Sequence, residues 1–370
     1  MNTRNDAFRP NALPAWIGSL PLTDHDEAVG MMMEYTPEIP IWIQLPHNKN
    51  EGMVEQFAPG MPGLDVSGGK VRVDTGSDEF DSELLAFFEE YMAATEGAAA
   101  DPAVDPISSP GSRFALHKDI APGFYTFLQT LDGLDAPPAA VKGQVTGPFT
   151  FATGLVDADG RAVFYNDQLR DAAVKLIAMK ARWQVRQLKK YGVPVIIFLD
   201  EPALAGFGSS AFISVSREEI DAALGEVIDA IHEEGGLAGV HVCANSEWSV
   251  ILESSADIVS FDAYSYFDKF VMYAGQVVRF MEKGGILAWG IVPTGDTDAI
   301  DKETAASLFD RWQRCAEKIE SLGITKERLI AQSLITPSCG TGSLSLAHAT
   351  KVIRMNREVS ERIRKDLNVG

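Results

Sequence analysis

The residues with the clearest chemical meaning are His241 and Cys243, which are separated by a single valine at the end of an apolar run. Side chains two positions apart in a β-strand point to the same face, so an imidazole and a thiol at this spacing can bind one ion. These donors favour zinc, and a catalytic zinc site needs three protein ligands and one open position. Cys339, in a glycine-rich turn at 336–342, supplies a third ligand. We therefore expect a zinc site formed by His241, Cys243 and Cys339.

Carboxylates follow two further apolar runs. Asp200 and Glu201 stand side by side before a proline, and Asp262 ends a run at 258–261. The pair can bind an amine or orient a histidine ligand, which makes Asp200 and Glu201 candidate catalytic residues. The alternative is that the pair only begins a helix before the proline. Asp262 is a candidate oxygen ligand of the metal.

Simpler interpretations of these residues stay open. An isolated His-x-Cys pattern is a weak signal, because a lone histidine or cysteine at a strand end usually serves packing. Cys315 lies inside a predicted helix and is expected to be a buried structural thiol. The chain has three cysteines, and an odd number in a long chain argues against a disulfide framework. The thiols are expected to be reduced or bound to metal.

Short apolar or β-branched runs, most of them followed by a helical pattern, must position these residues. The predicted strands lie at 16–20, 41–45, 141–146, 195–199, 237–242, 258–261, 286–291 and 329–335. Near-continuous apolar strands separated by helices require parallel pairing with both faces covered. A doubly wound open sheet would more often have five or six strands. The pattern therefore predicts an α/β fold of the closed (β/α)8 barrel type, in which strands five and eight open onto one mouth.

The interval 47–112 breaks this alternation. It is rich in Gly, Pro, Asp and Ser, and it contains a strand-like piece at 70–74 and a predicted helix at 81–94. We interpret it as an insertion after the second strand of a single barrel domain spanning residues 1–370. The insertion either covers one mouth of the barrel or is a plain surface excursion.

Composition and charge exclude several classes of partner. The formal net charge is -20 at pH 7, which repels phosphate backbones and anionic lipid, so nucleic acid and membrane surfaces are not expected partners. The apolar stretches are far shorter than the roughly 20 residues needed to cross a bilayer. Residues 1–14 are polar and lack the pattern of a secretory signal. These features predict a globular, cytoplasmic protein.

Taken together, the motifs resemble those of the catalytic half of cobalamin-independent methionine synthase. The wider superfamily also contains uroporphyrinogen decarboxylase and the zinc methyltransferases that use methyl-corrinoid proteins. The similarity covers roughly residues 16–364. It depends on Ile17-Gly-Ser-Leu-Pro21, Thr146-Gly-Pro-Phe-Thr150, Asp200-Glu-Pro-Ala-Leu204, His241-Val-Cys243 and Pro337-Ser-Cys339-Gly340.

The resemblance implies the ligands and substrate contacts of that superfamily. His241, Cys243 and Cys339 would bind zinc, and Asp262 would replace the family's fourth ligand, a glutamate. The residues implied to contact the substrate are Ile17, Gly18, Ser19, His47 and Asp200. Ser19 would face the carboxylate and Asp200 the amine of an amino-acid thiol. The implied reaction is methyl transfer to a thiol, homocysteine or a related compound, that zinc activates.

Departures from the family pattern bear on the acceptor and the methyl donor. His47 stands where the family has a glutamate that holds the substrate amine. The family's proton-donating histidine is missing from 289–294, and the tryptophan expected to stack on folate is missing from 149–154. A folate amine leaves poorly unless it is protonated, whereas a Co(I) corrin leaves without a proton. We therefore expect a methyl-corrinoid protein as partner and donor, with 5-methyltetrahydrofolate as the alternative.

Two other classes compete with this interpretation. A metal-free decarboxylase of the uroporphyrinogen type would need an N-terminal arginine cluster, and Arg4 and Arg9 are too few and too scattered to form one. A non-catalytic barrel that binds a corrin or a thiol stays an alternative, because binding needs fewer residues than turnover. Three candidate ligands at one mouth favour the enzyme.

Overall fold

A curled, seven-stranded parallel sheet forms the centre of the protein, whose computed structural model describes residues 8–96, 107, 109 and 111–366. The strands are β1 (Leu13–Pro14), β2 (Leu64–Asp65), β3 (Arg72–Val73), β4 (Val141–Thr146), β5 (Val156–Asp157), β6 (Val195–Asp200), β7 (Leu237–Val242), β8 (Ile258–Phe261), β9 (Ile286–Val292) and β10 (Ser333–Pro337). The large sheet has the order β1-β10-β9-β8-β7-β6-β4, and β2, β3 and β5 form a separate small sheet.

Helices cover the outer face of the large sheet. They are α1 (His25–Tyr35), α2 (Phe80–Glu96), α3 (Pro122–Asp132), α4 (Pro148–Gly154), α5 (Asp167–Leu188), α6 (Arg217–Glu233), α7 (Trp248–Leu252), α8 (Ala263–Phe270), α9 (Ala274–Glu282), α10 (Thr297–Lys302), α11 (Ala305–Glu320), α12 (Lys326–Ala331) and α13 (Leu346–Asp366). No helix in the described part of the chain combines the length and the apolar character of a membrane span.

Local sequence explains where these helices begin and which face they bury. At α6, the Ser216 side chain accepts a hydrogen bond from the backbone of Glu219, whose carboxylate in turn accepts one from the Ser216 backbone, which is a capping box. The buried residues of α6 recur three and four positions apart, as on one face of a helix. They are Ile220, Ala223, Leu224, Val227, Ile228, Ala230 and Ile231.

The parallel register sets the positions of the polar residues at the ends of the strands. Asp200 on β6 is opposite His241 on β7, and His241 is opposite Ser260 on β8. Every residue of β7, β8, β9 and β10 is buried, which agrees with a sheet that helices and the curl cover on both faces.

Two apolar cores lie on the two faces of the large sheet. The larger core packs the sheet against the helices. The smaller core fills the inside of the curl and consists of Phe8, Leu13, Ala15, Ile39, Ala140, Ile196, Phe198, Leu237, Ile258, Ile286, Ala288 and Leu334. Side chains alternate along a strand, so the inner face of β4 and β6 continues from this core into Lys142, Gln144 and Asp200. The inner wall of the curl is therefore apolar at one end and polar at the other.

The α/β class with a parallel sheet is confirmed, and the predicted closed (β/α)8 barrel is not. The described sheet is a half-barrel of seven strands. The segment 41–45, predicted to be the second strand, forms only isolated bridges, from Ile41 to Lys142 and from Gln44 to Ser19. The first strand lies at Leu13–Pro14 rather than at 16–20. Prolines at 14, 21, 40 and 46 supply no N–H to a ladder, which limits continuous pairing along both segments.

The last predicted strand, 329–335, begins too early. Its first residues belong to the short helix α12, and β10 begins at Ser333. The helix forms because Thr325 caps it by accepting a hydrogen bond from the backbone of Arg328. An apolar run that contains the end of a helix and the start of a strand has no periodicity that separates the two.

The predicted insertion contains β2, β3 and α2. Helix α2 packs back onto the helical layer, where the Tyr91 hydroxyl is 3.3 Å from a carboxylate oxygen of Glu226 on α6 and the Lys175 ammonium lies over the Tyr91 ring. Residues 97–106, 108 and 110 of the predicted insertion lie outside the described residues. The single domain over residues 1–370 stays a prediction, and residues 1–7 and 367–370 also lie outside the described part.

Candidate metal centre

Three side chains meet at the carboxyl ends of β7 and β10. His241 lies in β7, Cys243 directly follows it, and Cys339 lies in the turn after β10. An imidazole nitrogen and the two sulfurs all lie within 4.8 Å of one another. Around a tetrahedral zinc ion such atoms lie about 3.5–3.8 Å apart, so the donors are within about 1 Å of a binding arrangement. One nitrogen and two sulfurs form a donor set that zinc prefers and that leaves a position for a substrate.

The His241 ring has the orientation that a metal ligand needs. The residue is 3% exposed, and its Nδ1 atom lies 2.9 Å from the Ser260 hydroxyl oxygen. A hydrogen bond donated by Nδ1–H to that oxygen selects the tautomer in which Nε2 keeps its lone pair. Nε2 is buried without a hydrogen-bond partner. Buried polar atoms normally have partners, so an unpaired ring nitrogen beside two sulfurs fits a metal ligand.

The two cysteines at the site share a proton unequally. The pKa of the Cys243 thiol is lowered to about 4, because the neighbouring Cys339 thiol and the His241 ring favour its thiolate form. The pKa of Cys339 is raised, because its thiol donates to Cys243 and is largely buried. Metal binding requires thiolates, so an incoming zinc ion would displace the proton that Cys339 retains.

Asp262 lies close to this cluster, but its carboxylate is engaged elsewhere. One carboxylate oxygen accepts a hydrogen bond of 2.8 Å from the backbone of Ser265, which caps the start of α8. Burial raises the pKa of the Asp262 carboxyl group. In the described residues the group with metal-ligand spacing consists of His241, Cys243 and Cys339 and does not include Asp262. Its predicted role as a ligand stays a prediction.

Asp200 is beside His241 on the inner wall of the curl. Its Oδ1 atom is buried without a hydrogen-bond partner. Burial raises the pKa of Asp200 to about 6, although the charges of His241 and Lys142 oppose the shift. An unpaired carboxylate oxygen in this position could accept a hydrogen bond from a ligand, and the predicted substrate contact of Asp200 stays a prediction.

Glu201 points away from the cluster and towards the start of α4. Its carboxylate accepts hydrogen bonds from the backbone N–H groups of Phe149 and Thr150, at 2.9 and 2.8 Å, and from the Thr150 hydroxyl at 2.7 Å. The residue is fully buried, and burial raises its pKa to about 7. These contacts hold the Glu201 carboxylate at the N-terminus of α4, which is not the helix start at Pro202 that the sequence offered as an alternative. The catalytic role of Glu201 stays a prediction.

The predicted substrate-binding residues Ile17, Gly18 and Ser19 lie beside Cys339. They line a cavity of ≈ 10 Å³, about the volume that one water molecule needs. The Ser19 hydroxyl accepts a hydrogen bond of 3.2 Å from the backbone of Gly342. His47 is exposed in a turn after the segment 41–45. A much larger cavity of ≈ 610 Å³ lies between α2, α5 and α6 and has no residue of the cluster in its wall.

The sequence reasoning missed Lys142, Gln144 and Ser260. All three are buried on the inner face of the sheet. The first two alternate with apolar or small residues in β4 and are followed by Thr146, so a polar inner face was visible as a period of two. Ser260 shares a strand face with Asp262, but its contact with His241 depends on the register between β7 and β8.

Comparison with solved structures identifies a protein of similar fold. No protein-family model and no curated protein matches the sequence. The chain is similar in fold to a methyltransferase from Methanosarcina mazei. The similarity covers 94% of this chain and 93% of that one, with a TM-score of 0.51 and 13% sequence identity. At this identity the likeness shows the fold alone.

Proposed function

We propose that this protein is a zinc-dependent methyltransferase that moves a methyl group to a thiol. The observation that carries the proposal is the meeting of two cysteine sulfurs and a buried histidine whose Nε2 atom has no partner. The fold similarity to a protein named methyltransferase supports the same reaction class. The sequence resemblance to methionine synthase supports homocysteine or a related thiol as the acceptor.

The residues of the chain would have distinct tasks in this reaction. His241, Cys243 and Cys339 would hold the metal, and Ser260 would keep the His241 ring in place. Zinc bound there would supply a Lewis acid that lowers the pKa of the acceptor thiol at the open position. Asp200 would accept a hydrogen bond from the acceptor molecule, and the buried wall of the curl would exclude water from the thiolate.

For the methyl donor we propose a methyl-corrinoid protein, with 5-methyltetrahydrofolate as the alternative. A folate nitrogen must be protonated as it leaves, whereas a Co(I) corrin needs no acid. The end of β9 carries Val292, which is buried. The next polar side chain, Thr294, is engaged with the Ser338 hydroxyl at 2.9 Å. Neither residue is an acid that could protonate a leaving amine.

The proposal includes a completed barrel and a reducing location. We propose that the segment 41–45 closes the sheet as an eighth strand, because Gln44 bridges to Ser19 on one side and Ile41 bridges to Lys142 on the other. A site built on two thiolates works only with reduced cysteines, which is the state expected in the cytoplasm. The free thiols at Cys243, Cys315 and Cys339 agree with this location.

The test is transfer of a methyl group to homocysteine from methylcobalamin or from 5-methyltetrahydrofolate, with methionine measured by mass spectrometry. We expect methionine from methylcobalamin and loss of that activity in Cys339→Ala. Cys315→Ala is the matched control, because Cys315 is a buried thiol on α11 whose pKa burial raises to about 11. Equal activity in Cys339→Ala and the unmodified protein would contradict the proposal. Methionine formed only from the folate donor would support the folate alternative.

A further inference from the structure

Two opposite charges, a fully buried Lys142 and a partly buried Asp200, lie on the inner wall of the curl beside the candidate metal centre. Lys142 on β4 is 1% exposed, and Asp200 lies at the end of the neighbouring strand β6. The Lys142 ammonium donates a hydrogen bond of 2.8 Å to the backbone oxygen of Ile17 and lies 4.0 Å from the centre of the Phe198 ring. A buried ammonium is unfavourable unless hydrogen bonds and opposite charge compensate it.

The compensation of this ammonium is incomplete. An ammonium has three N–H donors, and the Ile17 oxygen takes one of them. Within the described part of the chain, Lys142 and Asp200 form no direct ion pair. The Asp200 Oδ1 atom lacks any hydrogen-bond partner. A buried ammonium that served only the fold would be expected to pair directly with the neighbouring carboxylate, because direct pairing offsets part of its loss of water.

A second side chain on the same wall also lacks a partner. Gln144 lies two residues after Lys142 on the same strand face, and it is fully buried. Its amide nitrogen donates to the backbone oxygen of Trp42 at 3.0 Å, but its Oε1 atom has no partner. The same amide packs against Gly18, where an added Cβ would lie 3.2 Å from it. The wall therefore offers spare acceptors at Gln144 and Asp200 and spare donors at Lys142.

We infer that Lys142 binds the acidic group of the acceptor thiol and so selects anionic thiols over neutral ones. This inference rests on the proposed function. The backbone that Lys142 contacts at Ile17 continues into Gly18 and Ser19, which line the cavity beside Cys339. Asp200 links Lys142 to the metal centre, because it lies opposite His241 in the register of β6 and β7 and interacts with the charges of both His241 and Lys142. A small thiol with its sulfur at the metal centre would therefore have its other end on the wall that carries Asp200 and Lys142.

A bound carboxylate would favour the protonated, positively charged form of Lys142. Burial lowers the pKa of Lys142 to about 7, and the negative charge of Asp200 opposes this shift. A bound carboxylate would add a second negative charge beside the ammonium and stabilise its protonated form. The carboxylate would also accept the N–H donors that the protein leaves unused.

The test compares two thiols of nearly the same shape, 3-mercaptopropionate and 3-mercapto-1-propanol. Their affinities are measured on the cobalt(II)-substituted protein from the thiolate-to-metal charge-transfer absorption. A charge-assisted hydrogen bond corresponds to about 10- to 100-fold in affinity, so the unmodified protein should prefer the acid by that factor. Lys142→Met should remove the preference and still bind the metal and the alcohol. Lys142→Arg, which keeps the charge, should retain part of the preference.

Lys180→Met is the matched control. Lys180 on α5 is also fully buried, but its ammonium faces the backbone oxygens of Arg113 and Ala115, away from the inner wall. This variant should keep the preference for the acid. An unmodified protein without any preference, or a Lys142→Met protein that keeps it, would overturn the inference. Failure of the unmodified protein to bind cobalt or zinc would refute the proposed function itself, whereas metal binding without discrimination would refute only the role of Lys142.

Discussion

Replacing Ser260 by alanine should weaken zinc binding without removing a ligand. The Ser260 oxygen is 2.9 Å from Nδ1 of His241, and both residues are buried. In Ser260→Ala the Nδ1–H group loses its acceptor, and the ring loses the contact that fixes its tautomer and its direction. Loss of such an outer partner lowers metal affinity by about 10- to 100-fold, which is about 1.4–2.8 kcal/mol.

Competition for zinc with a chromophoric chelator at fixed pH measures this change directly. Ser333→Ala is the control, because Ser333 is a fully buried serine on β10 whose hydroxyl accepts a hydrogen bond of 2.9 Å from the Trp289 ring nitrogen. The control should lower stability but not zinc affinity, since its contacts do not involve the cluster. Ser260→Thr should restore most of the affinity. Equal zinc affinity in Ser260→Ala and the unmodified protein would refute this account of His241.

The remaining predictions concern stability and are measured by urea unfolding. Gly147→Ala should lower the free energy of unfolding by about 1–3 kcal/mol, because an added Cβ would lie within 2.2 Å of the Glu201 carboxyl carbon; an unchanged midpoint would contradict the packing at α4. Gly225→Ala, on α6 with nothing within 4 Å of the added Cβ, should raise it by about 0.5–1 kcal/mol, and a decrease would contradict the open space there. Although burial opposes ionisation of Glu234, hydrogen bonds from cationic side chains, Arg186 foremost, lower its pKa to about 2. Because this pKa is lowered, the ionised Glu234 side chain stabilises the protein above pH about 4.5, and the effect is lost as the pH falls towards 2. In Glu234→Gln the free energy of unfolding should therefore fall less steeply over this acid range.

The clustering of His241, Cys243 and Cys339 could be predicted from the sequence because simple rules for strands determine it. The two-residue repeat of a strand places His241 and Cys243 on one face, and the alignment of parallel strands brings Cys339 to the same edge. Both rules need only the identification of β7 and β10. The described residues agree with the predicted clustering, since the imidazole nitrogen and the two sulfurs lie within 4.8 Å of one another.

The contacts of Glu201 could not be predicted in the same way. Its partners at Phe149 and Thr150 lie about 50 residues earlier in the chain, at the start of a short helix that adjoins β6 only in the folded protein. Adjacent acids at a strand end look alike in sequence, yet here one caps a helix and the other lies against the inner wall. Whether Asp200 or Glu201 caps the helix depends on the direction of each side chain at the end of β6.

The sequence analysis overestimated how continuously the segment 41–45 pairs with its neighbours. The segment 41–45 is apolar and has the composition of a strand, but hydrogen-bond ladders depend on where the donors fall. In the described chain this segment makes only single bridges on its two sides. The prolines that flank it were visible in the sequence, and they were a signal that continuous pairing would be limited.

The central claim is that His241, Cys243 and Cys339 bind zinc, and elemental analysis by mass spectrometry tests it most directly. The protein should be purified without chelators or metal-affinity resin and compared with Cys339→Ala and Cys315→Ala. The account predicts about one zinc per chain in the unmodified protein and in Cys315→Ala, and loss of zinc in Cys339→Ala. An unmodified protein that contains no metal and takes up none from added zinc would contradict the account.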